Sequence, residues 1–200
     1  MWEQLKRIIK PNGAIVLTAS QPFTTTLISS NMKMFKYCWV WEKSAVTNFL
    51  NAKKQPLRKH EDIVVFSKGS EKYNPQGLKK KESFTKQGRK ETDNYGSQDR
   101  SAGGYFQEFT GYPVDIIREN SSPTGKSLHP TQKPVELLSY LIATYTNPDD
   151  TILDFTMGSG STGIAAINQN CNFIGIEMDD KYFEIAKNRI DQHQAQGSLF

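Results

Sequence analysis

Gly158, Gly160 and Gly163 follow the pattern G-x-G-x-x-G between a strand-like run ending near Asp154 and a helix-like stretch. Glycines so spaced let a backbone turn sharply and approach a ligand closely. Glu177 closes the next strand-like run, 19 residues after Gly158, where a carboxylate can accept hydrogen bonds from both hydroxyls of a ribose. Asp154 ends the first strand, where it can receive an ammonium group; a pyrophosphate would be repelled there. The set therefore points to an amino-acid nucleoside rather than a dinucleotide. Taken singly, each residue also has a plain structural explanation, as a tight turn, a helix cap or a surface acid. The joint register of strand, loop, helix, strand and acid carries the cofactor reading.

A second constellation, HPTQKP from His129 to Pro134, stands directly before a helical pattern. Helix-entry N–H groups together with Thr131 and Lys133 can hold a ligand carboxylate, and a proline-rich helix entry with a solvated lysine is the alternative. Cys38 and Cys171 are far apart and share no metal-ligand spacing, so two reduced thiols are expected rather than a disulfide framework or a zinc site.

These residues need a scaffold of strands and helices. MWEQLKRIIKPNG places Trp2, Leu5, Ile8 and Ile9 at helical spacing and stops at Pro11–Asn12–Gly13. AIVLTAS (14–20) is a continuous apolar run, as in a strand buried on both faces, and QPFTTTLISSNM after it reads as a loop and helix. Residues 36–41 and 62–67 are rich in aromatic and β-branched residues and read as paired strands at one edge of a sheet, joined by a polar, basic loop. From Lys68 to about Lys126 the periodicity fails, which marks an insertion expected to be partly mobile. It resumes with Pro134 at a first helical position and Val135, Leu138, Leu141, Ile142 and Tyr145 on one face. TILDF, GSGSTGIAAINQN, NFIGIE and DDKYFEIAKNRIDQH then alternate strand and helix, the last helix capped by Asp179 or Asp180. The fold class expected is α/β, a parallel, doubly wound sheet carrying an inserted segment. The expected division is 1–67 and 127–194 as core parts, 68–126 as the insertion and 195–200 as a free tail.

The net charge of +4 is unevenly spread: residues 1–100 hold 19 basic and 9 acidic side chains, and 101–200 hold 6 and 12. A basic half suits a polyanion, and an acidic half bearing a glycine loop suits a small cofactor. Lys79, Lys80, Lys81, Lys86, Arg89 and Lys90, interleaved with Phe84 and Tyr95, are the candidate phosphate and base contacts. No run approaches the roughly 20 apolar residues of a membrane span. A cytoplasmic protein with no membrane partner is expected.

HPTQKPVELL, ILDFTMGSGSTG and FIGIEMD resemble the DNA amino-methyltransferases of restriction and phage systems, and LKPNGAIVLTASQPF with EDIVVFSK extends the resemblance over nearly the whole chain. The resemblance implies an S-adenosylmethionine-dependent, Rossmann-like fold that methylates an exocyclic amine of adenine, or else of cytosine, in double-stranded DNA. It implies that Asp154, Phe155, Gly158, Ser159, Gly160, Ser161 and Glu177 bind S-adenosylmethionine, with Thr131 and Lys133 at its carboxylate end, and that 68–126 recognises the target. It departs from the family in one respect: the catalytic quartet, an Asp, Asn or Ser followed by Pro-Pro and an aromatic, is absent, since none of the nine prolines adjoins another. No catalytic residue is therefore assigned. The expectation is a fragment that is inactive alone or needs a complementing N-terminal polypeptide, with a sheet lacking the strand between TILDF and AIVLTAS. A non-catalytic DNA-binding remnant and a nicotinamide-dependent oxidoreductase are the rival readings. The terminal QGSLF resembles a sliding-clamp docking peptide through Gln196, Leu199 and Phe200, and a frayed end is the plainer alternative.

Overall fold

The computed structural model describes residues 1–81, 108–119 and 127–197, and the chain divides into two compact units, Met1–Asn74 with Val114–Phe200, and Pro75–Pro113. In the larger unit, helix α1 (Trp2–Ile8) leads into strand β1 (Ala14–Ala19), helix α2 (Phe23–Ser30) and strand β2 (Phe35–Thr47). A 3-10 turn, Phe49–Asn51, and a short loop lead to strand β3 (Arg58–Ser67). The smaller unit contributes β4 (Lys79–Lys80) paired antiparallel with β5 (Phe109–Thr110). Back in the larger unit follow β6 (Ile116–Ile117), α3 (Val135–Tyr145), β7 (Thr151–Asp154), α4 (Ser161–Asn168), β8 (Asn172–Gly175) and α5 (Asp180–Gly197).

The strands of the larger unit form two sheets, one ordered β1-β3-β2-β6 and one β7-β8. β3 runs antiparallel to β1 and β2, while β2 pairs parallel with β6, and β7 pairs parallel with β8. The paired strands expected at 36–41 and 62–67 to close one edge are β2 and β3, but both lie inside the sheet, whose edges are β1 and the two-residue β6. Four consecutive residues of β3, Ile63, Val64, Val65 and Phe66, are fully buried because both faces of the strand are covered. Ile63 and Val65 pack with Trp39, Trp41, Leu137, Leu141 and Tyr145 on the α3 side. Val64 and Phe66 pack with Leu5, Ile15 and Leu27 on the α1 and α2 side. The result is the α/β layering expected of a doubly wound domain, with a sheet of mixed direction.

Helix α3 buries more than the single stripe its sequence shows. Leu137, absent from the expected apolar face, is completely buried against the first sheet, while Ile142, with half-buried Val135 and Leu138, packs towards α4. Two neighbours require two apolar faces. Pro134 is the cap residue rather than the first helical residue, and Tyr145 closes the helix by accepting a hydrogen bond from Trp39 Nε1 at 2.6 Å. Both cysteines are free and half-buried, and burial pushes the Cys38 thiol up.

The insertion is narrower than its composition implied. Lys72 and Asn74 belong to the larger unit: the Lys72 ammonium donates to Asp150 at 2.6 Å, and the Asn74 amide donates to the Thr146 carbonyl at 2.8 Å. Ile117 is buried in the core through its strand pairing. Polar composition concealed these anchors because they act through side-chain amides and charges rather than apolar periodicity.

Among the described residues no backbone ladder joins β1 to β7. Residues flanking the two strands nevertheless meet. Lys10, which precedes β1, lies 3.7 Å from Asp150, which precedes β7, and Phe155 after β7 packs on the cluster that holds Ile15 and Ala19. Asp150 is held below the usual carboxylate range by the Asn147 backbone N–H and then by Lys72. On β7-β8, the face bearing Ile152 and Phe173 packs on α3 and α4, whereas Ile174 on the other face is 54% exposed. Parallel strands are ordinarily covered on both faces, and two alone are marginal. No described helix is long and apolar enough to cross a membrane.

Candidate cofactor site

The carboxyl ends of β7 and β8 open into one loop system. Past the strands, the Ile176 N–H donates to the Asp154 carbonyl at 2.9 Å and the Met157 N–H to the Ile176 carbonyl at 3.0 Å. The glycine loop begins there. Gly158 has φ +53° and is buried, and its N–H donates to Glu177 Oε2 at 2.8 Å. Glu177 Oε1 accepts the N–H groups of Met178 at 2.9 Å and Asp179 at 3.1 Å. These backbone donors, Asp179 and Gly158 foremost, hold its carboxyl below the usual range, so it stays ionised at neutral pH. A carboxylate offers about four lone-pair positions, and three are taken. The expected pair of ribose bonds must therefore share Glu177 with the Gly158 N–H.

Asp154 is held in the same way. Its Oδ1 accepts the Thr156 N–H at 3.0 Å and its Oδ2 the Thr162 hydroxyl at 2.6 Å, leaving acceptor capacity on both oxygens for an ammonium. Ser159 donates its hydroxyl to Gln132 Oε1 at 3.0 Å, while Arg189 of α5 donates to the Ser159 carbonyl at 3.0 Å and to Ser161 Oγ at 3.1 Å. Gly160 precedes α4 with φ +79°. Phe155 is turned towards the core cluster beside β1.

Gly163 serves packing rather than turning. A Cβ there would lie 2.4 Å from Ile190 Cδ1 and 2.9 Å from Phe173 Cε1, so α4 meets α5 and β8 only because this position has no side chain. Gly163→Ala is expected to lower unfolding stability by about 1–3 kcal/mol through overpacking, measured by urea denaturation. An unchanged midpoint would show that Ile190 swings aside freely.

The HPTQKP segment reaches the loop through residues that its spacing alone did not single out. Gln132 receives the Ser159 hydroxyl, and the His129 ring packs against Tyr182 with centroids 4.3 Å apart and stands where a Gly158 Cβ would touch it. Thr131 is drawn back onto His129 Nδ1, its N–H at 3.2 Å and its hydroxyl at 3.1 Å. Lys133 donates to Glu61 Oε2 at 2.8 Å, and Lys43 donates to Glu61 Oε1 at 3.1 Å. Burial pushes the Glu61 carboxyl up, but Lys133 and Lys43 outweigh it and hold it below the ordinary value. Two ammonium groups on one carboxylate leave this triad with a net positive charge. Ile176 and Met178, on either side of Glu177, are 53% and 95% exposed and offer apolar surface for a flat ring. No cluster of metal ligands occurs among the described residues.

The candidate DNA residues are only partly described. Lys79 and Lys80 form β4 in the smaller unit, Lys80 lying 3.9 Å from Glu108, and the Lys81 N–H donates to the Glu108 carbonyl. Lys86, Arg89 and Lys90 lie outside the described residues, as do Leu199 and Phe200; Gln196 is exposed near the end of α5.

Comparison with known proteins follows the same outline. The chain is 26% identical over 195 residues to the type II methyltransferase M.HpaI of Haemophilus parainfluenzae, which covers 94% of this chain and 57% of that protein. A stretch of 61 residues is 51% identical to M2.MboI of Moraxella bovis, 30% of this chain and 22% of that one. The chain thus spans little more than half of M.HpaI and less of M2.MboI. The crystal structure of the M1.HpyAVI–SAM complex superposes with a TM-score of 0.65 at 26% identity, over 94% of this chain and 78% of the other. A cytosine-N4-specific PvuII DNA methyltransferase shares the fold with a TM-score of 0.64 at 15% identity. With the family model described as DNA methylase matching residues 1–188, the chain belongs to the N6/N4 DNA methylase family.

Proposed function

We propose that this chain forms the cofactor-binding part of an S-adenosylmethionine-dependent DNA methyltransferase that modifies an exocyclic amine, adenine N6 first and cytosine N4 as the alternative. One observation carries the reading: two carboxylates, Asp154 and Glu177, stand at the carboxyl ends of adjacent parallel strands, each tied to the same glycine loop. That donor set fits an amino-acid nucleoside. Asp154 would take the ammonium, Glu177 a ribose hydroxyl, Ile176 and Met178 the base, and the Lys133–Glu61–Lys43 triad the carboxylate with Thr131. When bound, S-adenosylmethionine supplies an electrophilic methyl group on a sulfonium.

The groups that would position an exocyclic amine are absent from the chain, which contains no Pro-Pro. Such an amine delocalises its lone pair into the ring and needs acceptors for its protons and an aromatic to stack the flipped base. We place that quartet on polypeptide outside residues 1–200, entering as a strand between β1 and β7. DNA is the proposed macromolecular partner, with Lys79–Lys81 among its contacts, a clamp-docking peptide beginning at Gln196 on the last turn of α5 is proposed beside it, and the proposed setting is the cytoplasm.

Titration calorimetry tests the cofactor assignment. S-adenosylmethionine is expected to bind and a nicotinamide dinucleotide to leave the heat unchanged. Asp154→Asn should weaken S-adenosylmethionine about 10- to 100-fold by removing a charge-assisted bond to the ammonium. Binding of the dinucleotide in its place would overturn the assignment and favour the oxidoreductase reading.

A further inference from the structure

The hairpin joining β2 to β3 has no role in the site described above, yet it is built to present something. Residues 44–60 hold four basic side chains, Lys53, Lys54, Arg58 and Lys59, and no acidic one. Beyond the Glu42–His60 pair the register breaks, and the strands next pair at Thr47 and Arg58. The tip between them is ordered by its own hydrogen bonds. Asn48 adopts φ +76°, the Asn51 amide donates to Asn48 Oδ1 at 2.8 Å, the Ala52 N–H to Phe49 O at 3.1 Å, and the Lys54 N–H to Asn51 O at 2.8 Å. On this turn Phe49 is 65% exposed and Leu50 is 101% exposed.

A single exposed leucine is ordinary, but two adjacent large apolar side chains held outward by a hydrogen-bonded turn among cations have the composition of a nucleic-acid wedge. Their place in the fold agrees. Ala19, at the carboxyl end of β1, pairs with Asp62, so the hairpin extends from the edge of the sheet at which β1 ends. From there the contacts run directly to the glycine loop: Glu61 accepts Lys133, and the adjoining Gln132 accepts Ser159.

We propose that the β2–β3 hairpin is a DNA-contacting element, in which Phe49 and Leu50 press into the base stack beside the nucleotide offered to the cofactor loop, while Lys53, Lys54 and Arg58 neutralise the flanking phosphates. The proposal rests on duplex DNA being the substrate. Apolar wedges of this kind unstack a base step, and each lysine–phosphate contact releases condensed counterions. The two kinds of residue therefore have separable signatures.

The test uses the full chain and a duplex carrying one mismatched 2-aminopurine, which brightens on unstacking and requires no knowledge of the target sequence. Wild-type protein is expected to bind with a marked salt dependence and to raise the fluorescence. F49S/L50S should remove most of that rise and keep the salt slope. K53E/K54E should reduce the slope of log affinity against log salt by about 2, at roughly 0.9 per phosphate contact. Because all four side chains are exposed, thermal melts of both variants should match the wild type. Wild-type binding with both variants unchanged overturns the hairpin assignment and leaves the DNA reading standing. Failure of the wild type to bind any duplex overturns the DNA reading itself. A wild-type oligomer that dissociates in F49S/L50S while DNA binding is unaltered makes the tip a protein contact and overturns the proposal.

Discussion

Methyl transfer to DNA by the 200-residue chain alone is expected to lie at least roughly a thousandfold below that of the same chain co-expressed with a polypeptide carrying an Asp-, Asn- or Ser-Pro-Pro-aromatic strand. The expectation follows from chemistry and topology together. Without acceptors for the amino protons and a ring to stack the flipped base, cofactor binding alone does not organise the attack on the methyl group. The proposed place for such a strand is supported by two observations: residues flanking β1 and β7 meet at Lys10–Asp150 and through Phe155, and each strand has a hydrogen-bonded partner on one side only among the described residues. A strand inserted there would satisfy backbone groups on both. Transfer of a tritiated methyl group from S-adenosylmethionine to DNA measures the effect. Robust activity of the isolated chain would overturn the idea, and lack of rescue despite DNA binding would favour the non-catalytic remnant.

The second large effect concerns Glu177. Glu177→Ala is expected to weaken S-adenosylmethionine about 100-fold and to lower unfolding stability by only about 1–3 kcal/mol, because the side chain is partly exposed and the one buried group it satisfies is the Gly158 N–H. Two losses combine: the proposed ribose acceptor disappears, and the N–H groups of Gly158, Met178 and Asp179 lose the carboxylate that orients them. Glu177→Gln should recover little, since its amide turns donors towards N–H groups that need acceptors. The pH profile follows from the same bonds. The folded carboxyl lies below its ordinary value of 4.5, so its contribution is complete above that value and is lost as pH falls through the lower folded pKa. Affinity measured by calorimetry should therefore be flat through the neutral range and decline only in acid. A decline already in progress at neutral pH would assign the titrating group elsewhere.

Much of this protein is legible in its residue order, because the relevant forces are local. The run of apolar residues in AIVLTAS, the glycine spacing and the acids closing successive strands specify strand, loop and helix through backbone preference and burial, and the structure reproduces them as β1, β7, α4 and β8. The Asp179 cap, whose carboxylate accepts the Tyr182 N–H at 3.0 Å, is likewise a nearest-neighbour effect.

Contacts between distant segments are a different matter. No local pattern announces that Lys133 and Lys43 share Glu61, that Gln132 rather than Thr131 engages the glycine loop, or that Arg189 clamps that loop from α5. A polar side chain bears no periodic signature of its partner, so its role appears only once the chain has closed. Leu137 was hidden for the related reason that a helix packed between two neighbours buries residues outside its main apolar stripe. The sequence by itself thus determined which cofactor chemistry this chain is suited to and that the Pro-Pro quartet is missing from it. Tertiary structure decided how tightly Glu177 is already engaged and that Lys133 shares Glu61 with Lys43, because both depend on long-range hydrogen bonds that residue order does not encode locally.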